Sequence, residues 1–302
     1  MEEMKLFEMF AGYGGASFAL KRLGIDFECV GVSEIDNDAM RCYTQNHKGY
    51  HYGDCTKINP HDLPDFNLLT AGFPCQSFSL AGKGGGELDT RGTLFNEIIR
   101  IAEVKKPKYM LLENVKGLTT KKHVDTFHKI LGELLRIGYQ VYVKVLNSKE
   151  HGTPQNRERV FFVCFHLKDF RLVPGFSFPD KEKLRVFFRD ILDDHPFRAI
   201  PPFQHGYYAD KKRIDCLKTT NDKCFHTLTT NRSHANQYLL NPDRTLCRLF
   251  EKEEVFRLMG FKNDEINLNG ISHNQAHKLA GNGWDINVIS KILKKMFEVE
   301  ED

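Results

Sequence analysis

A cysteine lies in a loop whose composition favours chemistry over packing. Cys75 stands in Gly72-Phe73-Pro74-Cys75-Gln76-Ser77-Phe78-Ser79, just past the carboxyl end of a predicted strand, where doubly wound sheets bind their ligands. A lone cysteine is most often a small buried apolar residue. Cys75, however, follows a proline in a loop, and the glycines after it predict a segment that closes over a substrate, namely Gly82, Gly84, Gly85 and Gly86. Cys75 is therefore a candidate nucleophile.

Two other polar segments stand next to predicted strands. Glu113-Asn114-Val115 ends one strand, and Gln155-Asn156-Arg157-Glu158-Arg159 precedes another. Taken alone, Glu113 and Arg159 would be interpreted as a surface ion pair. Around one sheet edge with Cys75 they suit a base-shaped substrate, because a thiolate can attack a ring carbon, a carboxyl group can bind a ring nitrogen and an amino group, and a guanidinium can hold a carbonyl oxygen.

A glycine-rich turn is the candidate cofactor site. Phe10-Ala11-Gly12-Tyr13-Gly14-Gly15 joins the first predicted strand to a helix, so that backbone N–H groups and the helix N-terminus can approach an anionic ligand. Glu34 follows 22 residues after Gly12, at the end of the second predicted strand, where a carboxylate can bind ribose hydroxyls. The pattern favours a nucleoside-bearing cofactor over the alternative of packing glycines and a surface glutamate.

The elements that position these residues alternate between strands and helices. Short apolar runs predict strands at 6–10, 29–33, 66–70, 109–112, 141–146 and 160–165, and a 3.6-residue periodicity between them predicts helices that cover the sheet. Gly24 and Gly138 are predicted helix ends. The fold class is therefore α/β, a Rossmann-like, doubly wound and mostly parallel sheet.

Beyond residue 170 the pattern loosens and prolines interrupt it, which predicts a smaller irregular domain. Only brief helical stretches are predicted, at 183–192 and 251–259, before a helical periodicity returns at 275–296. Residues 211–248 hold eight Lys and Arg against three Asp, a local charge of +5 in a chain of +3. This charge can be interpreted as a solvated loop face that has no partner. The more specific hypothesis is a surface that binds nucleic acid.

The composition limits the classes of protein to which the chain can belong. The 302 residues carry 43 Lys and Arg against 40 Asp and Glu, a balance that neither requires nor excludes a polyanionic partner. No apolar run approaches the ~20 residues needed to span a bilayer, and the acidic start is wrong for a signal peptide. The eight cysteines form no Cys-x-x-Cys pair and no zinc-spaced set. We expect a reduced cytosolic protein without a structural metal.

The chain resembles the DNA (cytosine-5)-methyltransferases from Leu6 to Met296. Nine blocks occur in the family's order: Phe10 to Gly15, Glu34 with Asp36, Gly53-Asp54, Gly72 to Ser79, Thr90-Arg91-Gly92-Thr93-Leu94-Phe95, Glu113-Asn114-Val115, Gln155 to Arg159, Thr227-Leu228-Thr229 and Gly281-Asn282. The resemblance implies S-adenosylmethionine as cofactor, with Glu34 on the ribose and Asp54 near the adenine amino group. The other implied cofactor residues are Phe10, Gly12, Gly14, Gly15, Ile35, Leu94 and Asn282. Ile35 stands where some relatives place an aromatic ring, and Gly283-Trp284 follow Asn282 where the family usually has a small residue and then Val.

The resemblance also implies a mechanism and a division of the chain. Cys75 attacks C6 of a flipped-out cytosine, Glu113 donates to N3 and accepts from N4, and Arg159 holds O2. Arg157 and Arg159 are the candidates for keeping the thiol ionised. Residues 1–171 and 275–302 form the catalytic domain, and 172–274 the target-recognition domain. Double-stranded DNA is the partner, and its candidate contacts are Ser79, Lys83, Lys211, Lys212, Arg213, Lys223, Arg232, His234 and Asn236.

The expected protein is a monomer of the bacterial cytoplasm, with a restriction endonuclease as a separate partner and no membrane contact. One alternative is a tRNA cytosine-5 methyltransferase on the same scaffold, because the catalytic blocks do not report the sugar of the substrate. A catalytically silent DNA-binding relative is disfavoured by the presence of Cys75, Glu113 and Arg159. A nicotinamide dehydrogenase would share the glycine turn but would leave Cys75 and the two arginines unexplained.

Overall fold

The computed structural model describes residues 3–74, 93–170, 175–199, 217–230 and 237–299. The chain forms two compact units. The larger unit comprises residues 1–146, 158–179 and 289–302, and the smaller unit comprises 147–157 and 180–288. Among the described residues, no helix has both the length and the apolar character needed to cross a membrane.

The larger unit is built on a six-stranded sheet. Its strands are β1 (Met4–Met9), β2 (Phe27–Ser33), β3 (Leu68–Gly72), β4 (Tyr109–Val115), β5 (Tyr139–Asn147) and β6 (Glu158–His166), in the order β2-β1-β3-β4-β6-β5. β1 pairs in parallel with β2 and β3, and β3 with β4, whereas β4 and β6 are antiparallel. All six predicted strands and the mostly parallel α/β sheet are confirmed. The strand order reverses at β1, so the crevice for a ligand is expected at the carboxyl ends of β1 and β3.

The described residues contain seven α-helices. The side chains of strand β1 show that these helices cover both faces of the sheet. The helices are α1 (Gly15–Leu23), α2 (Asn37–Asn46), α3 (Thr93–Lys105), α4 (Val124–Arg136), α5 (Lys252–Arg257), α6 (His273–Asn282) and α7 (Ile286–Phe297). Phe7 and Met9 join an apolar cluster that includes buried residues of α3 and α4. Glu8 points the other way and bonds to residues of α1 and α2. Alternate side chains of one strand thus serve helices on opposite faces.

The smaller unit contains a second sheet that the sequence did not predict. Its strands are β7 (Arg198–Ala199), β8 (Lys218–Thr219), β9 (Tyr238–Leu240) and β10 (Leu246–Leu249), in the order β7-β10-β9-β8. Each strand has two to four residues, too few for an alternation of polar and apolar side chains to be recognised. The interpretation of this region as irregular is therefore corrected.

Two helical predictions in the second half of the chain also need correction. The helix predicted at 183–192 is wrong, because only the 3₁₀ turn Phe188–Ile191 forms there, and its buried Phe188 and Ile191 mimic a helical spacing. The stretch at 275–296 is two helices. Gly283 ends α6 with a bond from its N–H to Ala280 O, and Asp285 begins α7 by accepting a bond from Val288 N. The helix predicted at 251–259 is confirmed as α5.

The compact units do not follow the predicted domain boundaries. Residues 147–157 and 275–288 belong to the smaller unit, although the sequence assigns them to the catalytic domain. Residues 147–157 connect the end of β5 to β6, and 275–288 contain most of α6 and the start of α7. The division into a catalytic and a target-recognition domain is a statement about function, and it stays a prediction.

Candidate active site

The glycine turn after β1 is held in an unusual backbone conformation. Phe10 has φ 53°, Gly12 has φ 56° and Gly14 has φ 85°. A positive φ at a bulky residue such as Phe10 is strained and is typical of functional sites. Gly14 begins helix α1 without a side-chain cap, and a Cβ at Gly14 would lie 2.5 Å from the ring of His47. Only glycine satisfies both its dihedral angle and its packing.

The carboxylate of Glu34 ties this turn to the end of β2. One oxygen, Oε2, accepts a bond from the N–H of Gly12 at 2.9 Å, and Oε1 accepts from the N–H groups of Ile35 and Asp36 at 2.8 Å each. Ile35 itself is 77% exposed. Glu34 therefore brings a carboxylate, an apolar side chain and the glycine turn to one place.

A further segment lies beside the end of β2 and carries Asp54. Tyr52 N donates to Val32 O, Ser33 Oγ donates to Gly53 O at 2.7 Å, and His51 Nε2 donates to Glu34 O at 2.8 Å. Bonds from the backbone and side chain of Thr56 lower the pKa of Asp54 below its usual range, so this carboxylate is ionised at neutral pH.

These groups fit the adenosyl part of S-adenosylmethionine. Two carboxylates can accept hydrogen bonds from ribose hydroxyls and an amino group, and an exposed aliphatic side chain can cover a base. Leu94, on the first turn of α3, is partly buried against the apolar cluster of the larger unit. Asn282 is the exposed last residue of α6 in the smaller unit.

Sequence reasoning missed Glu8, which supports the glycine turn from below. Its side chain is 2% exposed and accepts bonds from Ala16 N at 3.1 Å, Ser17 Oγ at 2.6 Å and Tyr43 OH at 2.9 Å. Burial raises its pKa, against the opposing effect of these bonds. An acidic residue inside an apolar strand was the signal that could have identified it.

The ends of β4 and β6 bring Glu113 and Arg159 together. Val115 pairs with Arg159 and Glu113 with Phe161, so Glu113 and Arg159 are diagonal neighbours on one face of the sheet. Arg159 Nε lies 3.0 Å from Glu113 Oε1, and both side chains are largely buried. The expected meeting of these two residues at one sheet edge is thus observed.

The loop that leads to Cys75 starts beside this pair. Gly72, the last residue of β3, pairs with Glu113. Asn114 Nδ2 donates to Phe73 O at 2.8 Å, which fixes the chain two residues before Cys75. Cys75 itself lies outside the described residues, together with Ser79, Lys83, Lys211, Lys212, Arg213, Arg232, His234 and Asn236. Of the candidate DNA contacts, Lys223 is described, and it is exposed.

Arg157 has a different environment from Arg159. It is 2% exposed, and its guanidinium donates to the backbone oxygens of Leu228 at 3.0 Å, Gly281 at 3.1 Å and Gly283 at 2.8 Å. All these residues belong to the smaller unit. Arg157 thus binds backbone carbonyl groups there, an arrangement suited to holding segments in place.

Comparison with known proteins shows which family the whole chain resembles. The sequence model of the family described as C-5 cytosine-specific DNA methylase matches residues 4–298. The Type II methyltransferase M.HaeII of Haemophilus aegyptius is 37% identical over 98% of this chain and 93% of its own length. The Type II methyltransferase M.NlaX of Neisseria lactamica is 35% identical over 97% of this chain and 96% of its own length.

Solved structures share the fold at lower identity. A mutant of DNMT2 from Spodoptera frugiperda superposes with a TM-score of 0.81 at 20% identity, covering 98% of this chain and all of that one. The S. pombe Dnmt2 methyltransferase gives a TM-score of 0.78 at 22% identity, covering 98% of this chain and 99% of that one.

Proposed function

The chain belongs to the C-5 cytosine-specific DNA methylase family and is a DNA cytosine-5 methyltransferase that uses S-adenosylmethionine, and on this premise we propose how and on what it acts. We propose that it methylates a specific sequence in duplex DNA through a covalent adduct between Cys75 and C6 of a flipped-out cytosine. The bacterial Type II methyltransferases that it resembles support duplex DNA as its partner. The enzyme would then act in the bacterial cytoplasm as a monomer, with any cognate endonuclease acting separately.

The observation that carries the proposal is the ion pair of Glu113 and Arg159. N3 and O2 are attached to the same ring carbon of cytosine, and this carboxyl group and guanidinium are neighbours at 3.0 Å. Glu113 in its protonated form would donate to N3 and accept from the N4 amino group, and Arg159 would donate to O2. Both contacts stabilise charge that develops on the ring as the thiolate attacks.

The chemical step follows from these contacts. A bond forms between Cys75 Sγ and C6, and C5 becomes nucleophilic enough to take the methyl group. S-adenosylmethionine, when bound, would supply that methyl group from its sulfonium centre and would be left as a neutral thioether. The C5 proton then leaves, its electron pair re-forms the C5–C6 double bond as the C6–Sγ bond breaks, and the products are methylated cytosine and the Cys75 thiolate. Glu34 and Asp54 would hold the ribose and the adenine while the exposed Ile35 covers the base.

Transfer of a labelled methyl group tests the proposal directly. The protein is incubated with labelled S-adenosylmethionine and either duplex DNA or tRNA, and modified cytosines are mapped. We expect label at C5 of cytosine in one short DNA sequence. Label confined to tRNA would replace the proposed substrate with RNA, and modification at unrelated DNA sites would remove the claim of sequence specificity.

The covalent step needs a test of its own. A duplex with 5-fluorocytosine at the target should trap the enzyme as a complex that survives denaturing electrophoresis, because fluorine cannot leave C5 as a cation. Cys75→Ser should form no such complex and should lose methylation while it still binds S-adenosylmethionine, because a hydroxyl is far less nucleophilic than a thiolate. Substantial turnover by this variant would overturn the covalent mechanism.

A further inference from the structure

Three segments of the smaller unit meet around the side chains of Gln155 and Arg157. The first is 154–157, the second is 225–230, and the third is the turn 281–283 at the end of α6. Residues 154–156 and 225–227 lie side by side, with Phe225 N bonded to Pro154 O and Asn156 N bonded to Phe225 O, both at 2.8 Å. We call this meeting point the three-segment junction.

The peptide groups of Leu228 are fixed from both sides. Gln155 Oε1 accepts a bond from Leu228 N at 2.8 Å, and Arg157 Nη1 donates to Leu228 O at 3.0 Å. Leu228 and Gln155 are fully buried. Thr227 Oγ1 also donates to Asn156 O at 2.6 Å. Hydrogen bonds therefore hold the two consecutive residues Thr227 and Leu228, which precede the exposed Thr229 and Thr230.

The same guanidinium holds the turn that contains Asn282. Arg157 Nη2 donates to the carbonyl oxygens on both sides of Asn282, those of Gly281 and Gly283. Gly281 also lies directly against the second segment, because a Cβ there would be 2.7 Å from Thr229 C and Thr230 N. Backbone atoms cannot yield as a flexible side chain can, so only glycine allows this approach.

We infer that Arg157 is a positioning residue that couples cofactor binding to DNA binding through the three-segment junction. The inference rests on the proposed function and on two sequence predictions, that Asn282 contacts S-adenosylmethionine and that residues 172–274 contact DNA. A ligand that orders the turn 281–283 also orders residues 228–230, because one side chain bonds to both. By linkage, each ligand must then tighten the binding of the other by the same factor.

The test is the coupling factor, the ratio of the S-adenosylmethionine dissociation constants without and with saturating cognate duplex. We expect about 5- to 150-fold tightening in the wild type, the usual range for such coupling. Arg157→Lys keeps the charge but replaces the two Nη atoms that reach the three carbonyls with a single nitrogen, and it should bring the factor close to one. Its affinity for each ligand alone, and its folding by circular dichroism, are measured in parallel.

Two other variants separate positioning from general damage. Gly281→Ala displaces the junction without touching Arg157 and should lower the coupling factor in the same way. Arg257→Lys is the matched control, because Arg257 also donates to a backbone oxygen in this unit, that of Ile191, but outside the junction. It should reduce stability and leave the coupling factor unchanged.

The outcomes distinguish a failure of this inference from a failure of the proposed function. A wild-type coupling factor of one, or a factor that Arg157→Lys and Gly281→Ala both leave unchanged, overturns the inference even when the wild type methylates DNA. A loss of coupling in Arg257→Lys as large as in Arg157→Lys also overturns it. The proposed function fails on a separate measurement, which is the absence of methyl transfer by the wild type.

Discussion

Two carboxylates near the glycine turn have different roles at the scale of single residues. Glu34 accepts bonds from three backbone N–H groups and is partly exposed, so it can also accept from a ligand. Glu8 is buried and satisfied by protein donors alone. The first is therefore expected to affect binding, and the second the stability of the turn.

Removal of the Glu34 carboxylate should weaken cofactor binding. Glu34→Ala loses charged hydrogen bonds to the ribose and releases Gly12, so S-adenosylmethionine affinity should fall by about 1–3 kcal/mol. Isothermal titration calorimetry measures this loss. Asp38→Asn, at a half-exposed residue of α2 that pairs with Arg41, is the matched control and should bind normally. Unchanged affinity of Glu34→Ala would remove Glu34 from the cofactor site.

The raised pKa of Glu8 predicts a pH dependence of stability. The folded state holds the Glu8 proton more tightly than the unfolded state, so the stability of the wild type falls as the pH rises from the unfolded pKa to the raised folded value. Glu8→Gln cannot ionise and lacks this fall. The stability lost in Glu8→Gln, measured by urea unfolding, should therefore be largest at acid pH and shrink toward neutral pH. A loss that grows with pH would contradict the raised pKa.

At the scale of elements, hydrogen bonds from one strand end position another. Asn114, near the end of β4, donates a hydrogen bond to the carbonyl oxygen of Phe73, the first residue after β3. Asn114→Ala should slow the single-turnover methylation rate about 10- to 100-fold with little change in cofactor affinity, because a small displacement of a nucleophile is costly. Asn46→Ala, which also removes a bond to a backbone oxygen, should have no such effect. An unaltered rate in Asn114→Ala would show that the bond does not position Cys75.

Helix α5 is anchored by a buried ion pair. Arg248 donates to both oxygens of Glu254 at 2.7 Å, and Glu254 also accepts from the N–H groups of Asp193 and Glu251. Glu254→Gln leaves the buried charge of Arg248 without a counter-ion and should destabilise the folded state by about 3–5 kcal/mol. Urea unfolding measures the loss, and Glu298→Gln in an exposed pair is the control. Similar stabilities of the two variants would contradict this role.

At the scale of the whole molecule, a buried ion pair lowers the positive charge that residues 211–248 can present to a partner. Arg248 is one of the eight basic residues in 211–248, and its charge is neutralised by Glu254 outside that range. The accessible net charge of the segment is thus +4 rather than +5.

Neutralising Lys211, Lys212 and Arg213 tests whether this charge binds DNA. The triple substitution to Gln should weaken binding to all duplexes alike, and it should flatten the log–log salt dependence by up to about one unit for each lost phosphate contact. Affinities for cognate and scrambled duplexes are measured against salt concentration. Wild-type affinity and slope would identify the segment as a solvated loop face.

The sequence alone determined the larger sheet and the types of residue at its edge. Apolar runs such as the one at 160–165 can be interpreted without knowledge of their partners, because a strand buried on both faces must be apolar throughout. Glu34, Asp54, Glu113 and Arg159 could be named in the same way, since strand ends and glycine turns leave local signals. The smaller sheet could not be predicted, because two-residue strands exist only through their tertiary pairing.

Only the tertiary structure decided how apparently similar residues differ. Arg157 and Arg159 are two residues apart in one motif, yet Arg159 pairs with Glu113 and Arg157 binds the backbone of segments 71 to 126 residues away. Glu8 likewise gained a role only when α1 and α2 brought Ser17 and Tyr43 to it. Sequence reports the chemistry that a side chain carries, whereas its partners are fixed by contacts between distant parts of the chain, which no local pattern records.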